Sequence, residues 1–364
     1  MSIRTFFEQL LYTPSSEESF LRRVFLFPLY LSSLLYRFIV QSRHTMYTAG
    51  ILKSYSLPCK VISVGNITLG GTGKTPTVMY LAQLFNQQGI KTAVLSRGYK
   101  GKSSEKAAVV SDGKRIFLNT LDAGDEPVLL SQALPGVPVL VGKDRIVSGR
   151  YAVDHFSPDI VLLDDGFQHL RLKRDVDILL LDFHHGFGNG CLLPRGILRE
   201  PLSHIRRAHL FLLTKKTKRA DTTGLEKKIG AVHPGARMFS SEYRIKCITT
   251  LKEEKIIEPG HLKGKKVLAL SAIANPQYFS YLLRESGISV TEEWKLPDHH
   301  YYTANDAGTL ETYLNRIDFI ITTEKDSVKM DAELFKKLPI LVAKIMITLD
   351  DEQGFKDTLL KLIS

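Results

Sequence analysis

Apolar residues along this chain form short continuous runs and longer stretches with helical spacing, and their order predicts the architecture. KVISVG (60–65) is a β-branched run that feeds directly into the glycine-rich VGNITLGGTGKTPT (64–77). TPTVMYLAQLFNQQG (75–89) follows, with Val78, Leu81, Ala82 and Phe85 in helical spacing and Gly89 as the stop. KTAVLSRGYKG (91–101) reads as the next strand and turn. DIVLLDDGFQH (159–169), DVDILLLDF (175–183) and HLFLLTK (209–215) are further buried-strand runs, the first two closing on aspartate. Continuously apolar strands alternating with helices predict an α/β fold, a mostly parallel sheet covered by helices on both faces. From about 222 to 263 the pattern loosens, with Pro234, Gly235, Pro259 and Gly260 punctuating weaker strands. A second α/β pattern then begins at KKVLALSAIANPQYFSYLLRESGISV (265–290), and RIDFIITTEKDSVKM (316–330) and LPILVAKIMI (338–347) add two strands. The expected organisation is an N-terminal helix region over 1–45, a core over 46–230, linker strands over 231–262 and a smaller C-terminal α/β domain over 263–364.

A length of 364 residues exceeds what one hydrophobic core usually serves, which agrees with two domains. With 44% hydrophobic and 24% charged residues the chain is an ordinary folded protein. Its formal charge of +11 calls for an anionic partner or surface, and nucleic acid, acidic phospholipid and phosphorylated substrate all qualify. Cys59, Cys191 and Cys247 are far apart and form no C-x-x-C pair, which argues against a disulfide framework or zinc site and fits a reducing compartment.

The segment LRRVFLFPLYLSSLLYRFIVQSR (21–43) stands apart in composition. Its apolar run from Val24 to Leu35 contains Pro28, Ser32 and Ser33 and is followed by Arg37. A membrane-spanning helix needs about 20 predominantly apolar residues, so the run is expected to be too short to cross. No A-x-A-like cleavage site follows, against an exported signal peptide. Two readings stay open on pattern alone. One is a core-packing helix; the other is a helix lying in the membrane interface, with Arg22, Arg23, Arg37 and Arg43 facing lipid phosphates.

The glycine-rich loop carries the chemistry. Successive backbone N–H groups in such a loop point inward, and the following helix adds its positive end, so the loop cradles phosphates. Gly70, Gly71 and Gly73 permit the tight backbone, Lys74 reaches the β- and γ-phosphates, and Thr75 is placed to ligate Mg²⁺. The standard G-x-x-x-x-G-K-[ST] pattern has glycine where this chain has Thr68, which the loop tolerates if φ stays negative. The nucleotide site expected is therefore Thr68, Leu69, Gly70, Gly71, Thr72, Gly73, Lys74 and Thr75, within a P-loop NTPase-like core. IVLLDDG (160–166) supplies an apolar strand ending in acid, from which Asp164 or Asp165 would hold the ion. Asp125 and Glu126 of DAGDEPVLL (122–130) read as helix-start acids or as functional carboxylates. LPDHHYY (296–302) offers His299 and His300, with no third ligand evident for a metal. NGCLLPRGILREP (189–201) and GKDRIVSGR (142–150) offer Arg195, Arg199, Lys143, Arg145 and Arg150 to an anionic ligand, or as a solvated basic face.

The set VGNITLGGTGKTP, LSRGYKG, GDEP, DDGFQH, GNGCLLPRGILREP, NPQYF, PDHHYY and TTEKDSVK resembles the tetraacyldisaccharide 4'-kinases, from the N-terminal helix to about Lys329. These motifs are long and rarely found together. The resemblance implies ATP-dependent phosphorylation of the lipid A disaccharide 1-phosphate, with Mg²⁺, at the cytoplasmic face of the inner membrane. It implies a small residue at position 68 as normal. It also implies roles by position: Asp125 as base or orienter for the sugar hydroxyl, paired with His299; Asp164 and Asp165 on the magnesium side; Arg145 facing a phosphoryl group; Glu200 as a candidate for the metal shell; and the N-terminal helix as a peripheral or monotopic membrane anchor. His300 is expected to pack or cap.

Two readings of other classes stand beside this one. A membrane-associated partitioning ATPase carries a signature lysine that would fall at position 69, where this chain has Leu69. A nucleic-acid-binding NTPase interleaves basic residues with exposed aromatics. Here the basic residues gather at the N-terminus and in motif loops, so no nucleic-acid partner is expected.

Overall fold

The structure is a computed structural model that describes residues 11–12, 20–99, 101–102, 106–217 and 221–364. Most of 1–19, Lys100, and the side chains of Arg22 and Arg23 lie outside the described residues. Helix α1 (Phe20–Thr48) precedes a first α/β unit. That unit runs β1 (Lys60–Gly65), α2 (Lys74–Gln87), β2 (Thr92–Ser96), β3 (Ala108–Ser111), α3 (Thr120–Ala123), α4 (Asp125–Ala133), β4 (Val139–Val141), α5 (Arg145–Phe156), β5 (Ile160–Asp164), β6 (Val176–Asp182), β7 (Leu210–Thr214) and α6 (Thr223–Val232). Then come β8 (Arg237–Thr250), β9 (Ile256–Ile257), β10 (Val267–Ser271), α7 (Pro276–Glu285), β11 (Val290–Lys295), α8 (Ala304–Glu311), β12 (Phe319–Thr323), α9 (Glu324–Ser327), β13 (Ile340–Leu349) and α10 (Glu352–Ile363).

The strands form one mostly parallel sheet in the order β11-β10-β12-β13-β8-β7-β6-β1-β5-β2-β4-β3, with β9 paired to β8. β1 lies between β5 and β6, parallel to both, and its register sets Val64 beside Asp164. That pairing brings the end of the acid-bearing strand to the mouth of the glycine-rich loop. Along β1, Ile62 and Val64 pack with Val78, Leu81 and Phe85 of α2. Val61 packs on the other face with Ile146 and Ala152 of α5. Both faces are buried, which is why the strands read as continuous apolar runs. Gly65 is required where the loop after β5 crosses β1, since a Cβ there would lie 2.6 Å from Phe167 Cβ.

The segment that read as loose contains a strand of 14 residues. β8 pairs parallel with β7 through Arg237–Ser240 and antiparallel with β13 through Ser241–Thr250, so both halves share it. Its two faces are each partly exposed, which left no clean apolar alternation to read.

Helix α1 is longer than the apolar run suggested. It continues through Arg37 and Arg43 to Thr48, holds Pro28 inside, and spans 29 residues. By length and composition it is able to cross a membrane, which corrects the expectation that it is too short. Its inner face is partly polar. Ser33 Oγ donates to the Leu192 carbonyl at 2.9 Å and accepts from Arg195 N–H at 3.0 Å, and Tyr36 donates to the Arg199 carbonyl at 3.0 Å. The outward face carries Phe25, Phe27, Leu31, Leu35, Phe38 and Ile39, all more than half exposed. Solvated proteins rarely leave so continuous an apolar stripe uncovered.

Candidate active site

The loop between β1 and α2 is held from three sides. Asn66 Nδ2 donates to Thr72 Oγ1 at 2.9 Å, Leu69 N–H to the Ile197 carbonyl at 2.8 Å, and Thr214 Oγ1 to the Thr72 carbonyl at 2.8 Å. Lys215 at the end of β7 donates to the Gly71 carbonyl and to Asp182 Oδ2, the latter at 2.6 Å. Gly70 and Gly73 have φ of 107° and 89°, in the left-handed region where glycine has no side-chain penalty. A Cβ on Gly73 would sit 1.6 Å from the Tyr243 hydroxyl. Lys74 opens α2, with Nζ 3.6 Å from Asp165 Oδ1 and 3.5 Å from Asn66 Oδ1.

Leu69 through Thr75 line a cavity of about 960 Å³. Thr68 does not: it is buried and bridged antiparallel to Leu198, so its part in the phosphate loop is structural backing. The sequence places Thr68 among the residues of the nucleotide site, and here it lies behind those that line the cavity.

Asp164 reaches the cavity from the end of β5. Ser96 Oγ donates to its Oδ2 at 3.2 Å, while its buried Oδ1 has no hydrogen-bond partner. Burial, with the charges of Glu126 and Asp165 nearby, pushes this carboxyl up to about 7. Asp165 is held differently. Both its oxygens accept from Arg199, at 3.1 and 3.0 Å, and its φ of 56° is unusual for a non-glycine residue. Despite burial, the cations Lys74 and Arg199 hold its carboxyl below the usual range. Arg145 is buried, donating to the carbonyls of Gly142 at 3.0 Å and Asp164 at 3.4 Å, and its Nε has no partner. Burial lowers the guanidinium to about 10.

Glu200 does not join the metal side. It is buried off the cavity, accepting from His204 Nδ1 at 2.7 Å and from Arg207 at 2.9 and 3.2 Å. Both oxygens are engaged by these partners away from the cavity, so the structure does not bring Glu200 to the magnesium side where the resemblance put it. Asp165 is likewise committed to Arg199. Of the two arginines read beside the loop motifs, Arg199 lines the cavity and Arg195 does not. Lys143 lines it as well, whereas Arg150 lies over the Tyr55 ring.

His299 lines the same cavity, with Asp125 buried behind it. Gly124, with φ 92°, caps α4 and sets Asp125 as its first residue. Asp125 Oδ1 accepts from Glu126 N–H at 3.0 Å, and Oδ2 from His299 Nδ1 at 2.8 Å. Burial opposes the charge on Asp125, yet the His299 hydrogen bond and the nearby Lys325 keep its carboxyl below the usual range. His299 holds φ of 65°, a strained conformation that positions the ring. His300 turns the other way, to Asp306 Oδ2 at 3.1 Å in the first turn of α8, whose N-cap is Thr303. Sequence reasoning missed Lys325, Lys215, Ser96 and Tyr243. Lys325 stands inside the TTEKDSVK motif, but nothing in its spacing showed where its ammonium points.

A phosphate loop beside a strand-ending aspartate, with the imidazole of an aspartate–histidine pair lining the same cavity, places the chain among P-loop proteins that handle nucleotide phosphates. The family model for tetraacyldisaccharide-1-P 4'-kinase matches residues 23–364, and the chain belongs to that family. It is 40% identical over 336 residues to the tetraacyldisaccharide 4'-kinase of Pelobacter propionicus, and 37% over 341 residues to that of Syntrophus aciditrophicus; each alignment covers 91% of both chains. The crystal structure of the "apo" form of LpxK from Aquifex aeolicus, in complex with ATP, superposes with a TM-score of 0.73 at 33% identity, over 94% of this chain and 99% of that one. The chain is accordingly an ATP-dependent lipid A 4'-kinase of the P-loop class.

Proposed function

We propose that this enzyme transfers the γ-phosphoryl group of ATP to the 4'-hydroxyl of a tetraacyldisaccharide 1-phosphate, giving the 1,4'-bisphosphate, at the cytoplasmic face of the inner membrane. The observation that carries the acceptor chemistry is the Asp125–His299 pair: His299 lines the same cavity as Lys74 and the phosphate loop, and Asp125 is buried behind it as its hydrogen-bond partner. A sugar hydroxyl holds its proton tightly and benefits from a carboxylate that accepts it during attack. In this reading Asp125 receives that proton, and His299, donating through Nδ1, fixes the carboxylate's orientation. The loop amides and Lys74 bind the triphosphate, and Arg145 stabilises charge on the transferred group.

The residues fit a divalent cation. Asp164 presents a buried oxygen without a partner, and Thr75 lines the same cavity. These two would hold Mg²⁺, which when bound neutralises charge on the β- and γ-phosphates. The exposed apolar stripe of α1 supports membrane association. Tyr36 and Arg43 on the same helix line the cavity, so an acyl-bearing acceptor could reach the site without leaving the surface. The test is to incubate the protein with γ-labelled ATP, Mg²⁺ and acylated disaccharide 1-phosphate. Label should move to the lipid; hydrolysis of ATP without lipid labelling would overturn the acceptor assignment.

A further inference from the structure

We infer that Lys325 is a positioning residue for the acid–base pair, its ammonium reaching across to hold the Asp125 carboxylate charged and aligned with His299. This rests on the reading of Asp125 as the proton acceptor. Lys325 is the second residue of α9, a short helix capped by Thr323 Oγ1, which accepts from Asp326 N–H at 3.1 Å. From there its Nζ donates to Glu126 Oε1 at 2.9 Å and lies 3.6 Å from Asp298 Oδ1 and 3.9 Å from Asp125 Oδ2. Two of these carboxylates belong to the first turn of α4 and one to the loop before α8, so the ammonium ties the two halves of the chain together at the site. Burial would weaken the cation, but Glu126, Asp125 and Asp298 together push its ammonium above the usual range.

The charges around Asp125 show why one cation matters. Glu126 comes from α4 itself; Asp298, His299 and Tyr301 come from the loop before α8; Lys325 comes from α9, with Lys329 just beyond it. Without Lys325, three carboxylates would face one another, and among the described residues Lys329 and His299 would be left to counter them. An opposite charge about 4–6 Å away typically lowers a carboxyl by 1–3 pH units, and a like charge raises it. Losing Lys325 should therefore let Asp125 protonate at higher pH. Among the described residues Lys325 pairs with Glu126, Asp125 and Asp298 and not with the phosphate loop, Thr75 or Asp164, so its effect should fall on acceptor chemistry and not on ATP binding.

The experiment is the pH dependence of kcat/KM for the acylated disaccharide, measured on the full chain with Mg²⁺ and ATP. The variants are Lys325→Gln, Lys325→Met and Lys325→Arg, with Asp125→Asn in parallel. Lys325→Gln and Lys325→Met should move the acid limb up by about one to two pH units. Their deficit should be largest at low pH and shrink as pH rises, with KM for ATP altered less than about threefold. Lys325→Arg should return the limb toward its original position. If Lys325→Gln and Lys325→Met lower activity by a constant factor at every pH, Lys325 is only a structural tie and the inference falls. An unmoved limb alongside an inactive Asp125→Asn refutes Lys325 and leaves Asp125 standing. An active Asp125→Asn refutes the proton-acceptor reading itself. A variant too unstable to assay is replaced by the other, since methionine keeps the aliphatic stem and glutamine the polarity.

Discussion

Replacing Asp164 by asparagine should stabilise the metal-free protein while disabling the enzyme. Asp164 is buried, has one oxygen without a partner and faces the charges of Glu126 and Asp165, so its carboxyl rises to about 7 from an ordinary 3.8. The sign follows from proton counting. Below pH 4 the side chain is protonated in both folded and unfolded states and makes no difference. Between about pH 4 and 7 the unfolded chain gives up this proton and the folded one keeps it, so stability falls as pH rises, and above 7 the cost levels off. At 1.36 kcal/mol per pH unit the cost is about 2 kcal/mol at pH 5 and about 4 kcal/mol at pH 8. Asparagine does not titrate, so any fixed cost of burying its amide is the same at both pH values. The stability of Asp164→Asn relative to the parent should therefore improve by about 2–3 kcal/mol between pH 5 and pH 8. Denaturant unfolding in EDTA at the two pH values measures it directly. Adding Mg²⁺ at pH 8 should stabilise the parent and not the variant, because a cation bound to the carboxylate favours its charged form. A stability difference that is independent of pH would refute the reasoning. So would full Mg²⁺-dependent activity in the variant.

Gly73→Ala should cost roughly 1–2 kcal/mol in left-handed backbone strain alone, and its methyl would meet the Tyr243 hydroxyl at 1.6 Å. It should raise KM for ATP far more than Gly224→Ala, whose Cβ meets nothing within 4 Å, and equal ATP kinetics would count against the loop assignment. Asp125→Ala and His299→Ala should each lower kcat by about 10²–10⁴. Because they form one hydrogen-bonded unit, the double variant should lose little more, and independent losses that multiply would refute the pairing. His300→Ala should cost less than His299→Ala in the same assay, since His300 is engaged with Asp306. Removing residues up to about 42 should release the protein from anionic vesicles, with salt alone releasing it only partly; undiminished sedimentation of the truncated chain would place the membrane contact elsewhere.

The sequence alone determined the parts of this protein that are local. A strand, a glycine-rich turn and a helix adjoin along the chain, so their order fixes the phosphate loop, and the runs that close on Asp164 and Asp182 are legible because both faces of a parallel sheet are buried. The tertiary structure decided what depends on two distant segments meeting. β8 looked loose because its faces are half exposed, yet it joins both halves of the sheet by hydrogen bonds no pattern encodes. Asp164 and Asp165 are neighbours in sequence and similar in chemistry, but one keeps an unpartnered oxygen at the cavity and the other is claimed by Arg199. Glu200 sits one residue from Arg199 and faces away from the cavity, toward His204 and Arg207. Helix α1 could be read as core or as membrane-facing until its packing was known: helical spacing turned Leu26, Ser33 and Tyr36 inward and left Phe25, Phe27, Leu31, Leu35 and Phe38 outside. The placing of Lys325 near His299 follows from β10, β11 and β12 lying side by side in the sheet, and the pairing of Asp125 with His299 over 174 residues needs α4 to pack against α9 from the other half. Electrostatic partners act through space over a few ångströms, and the chain's own order carries no measure of that distance.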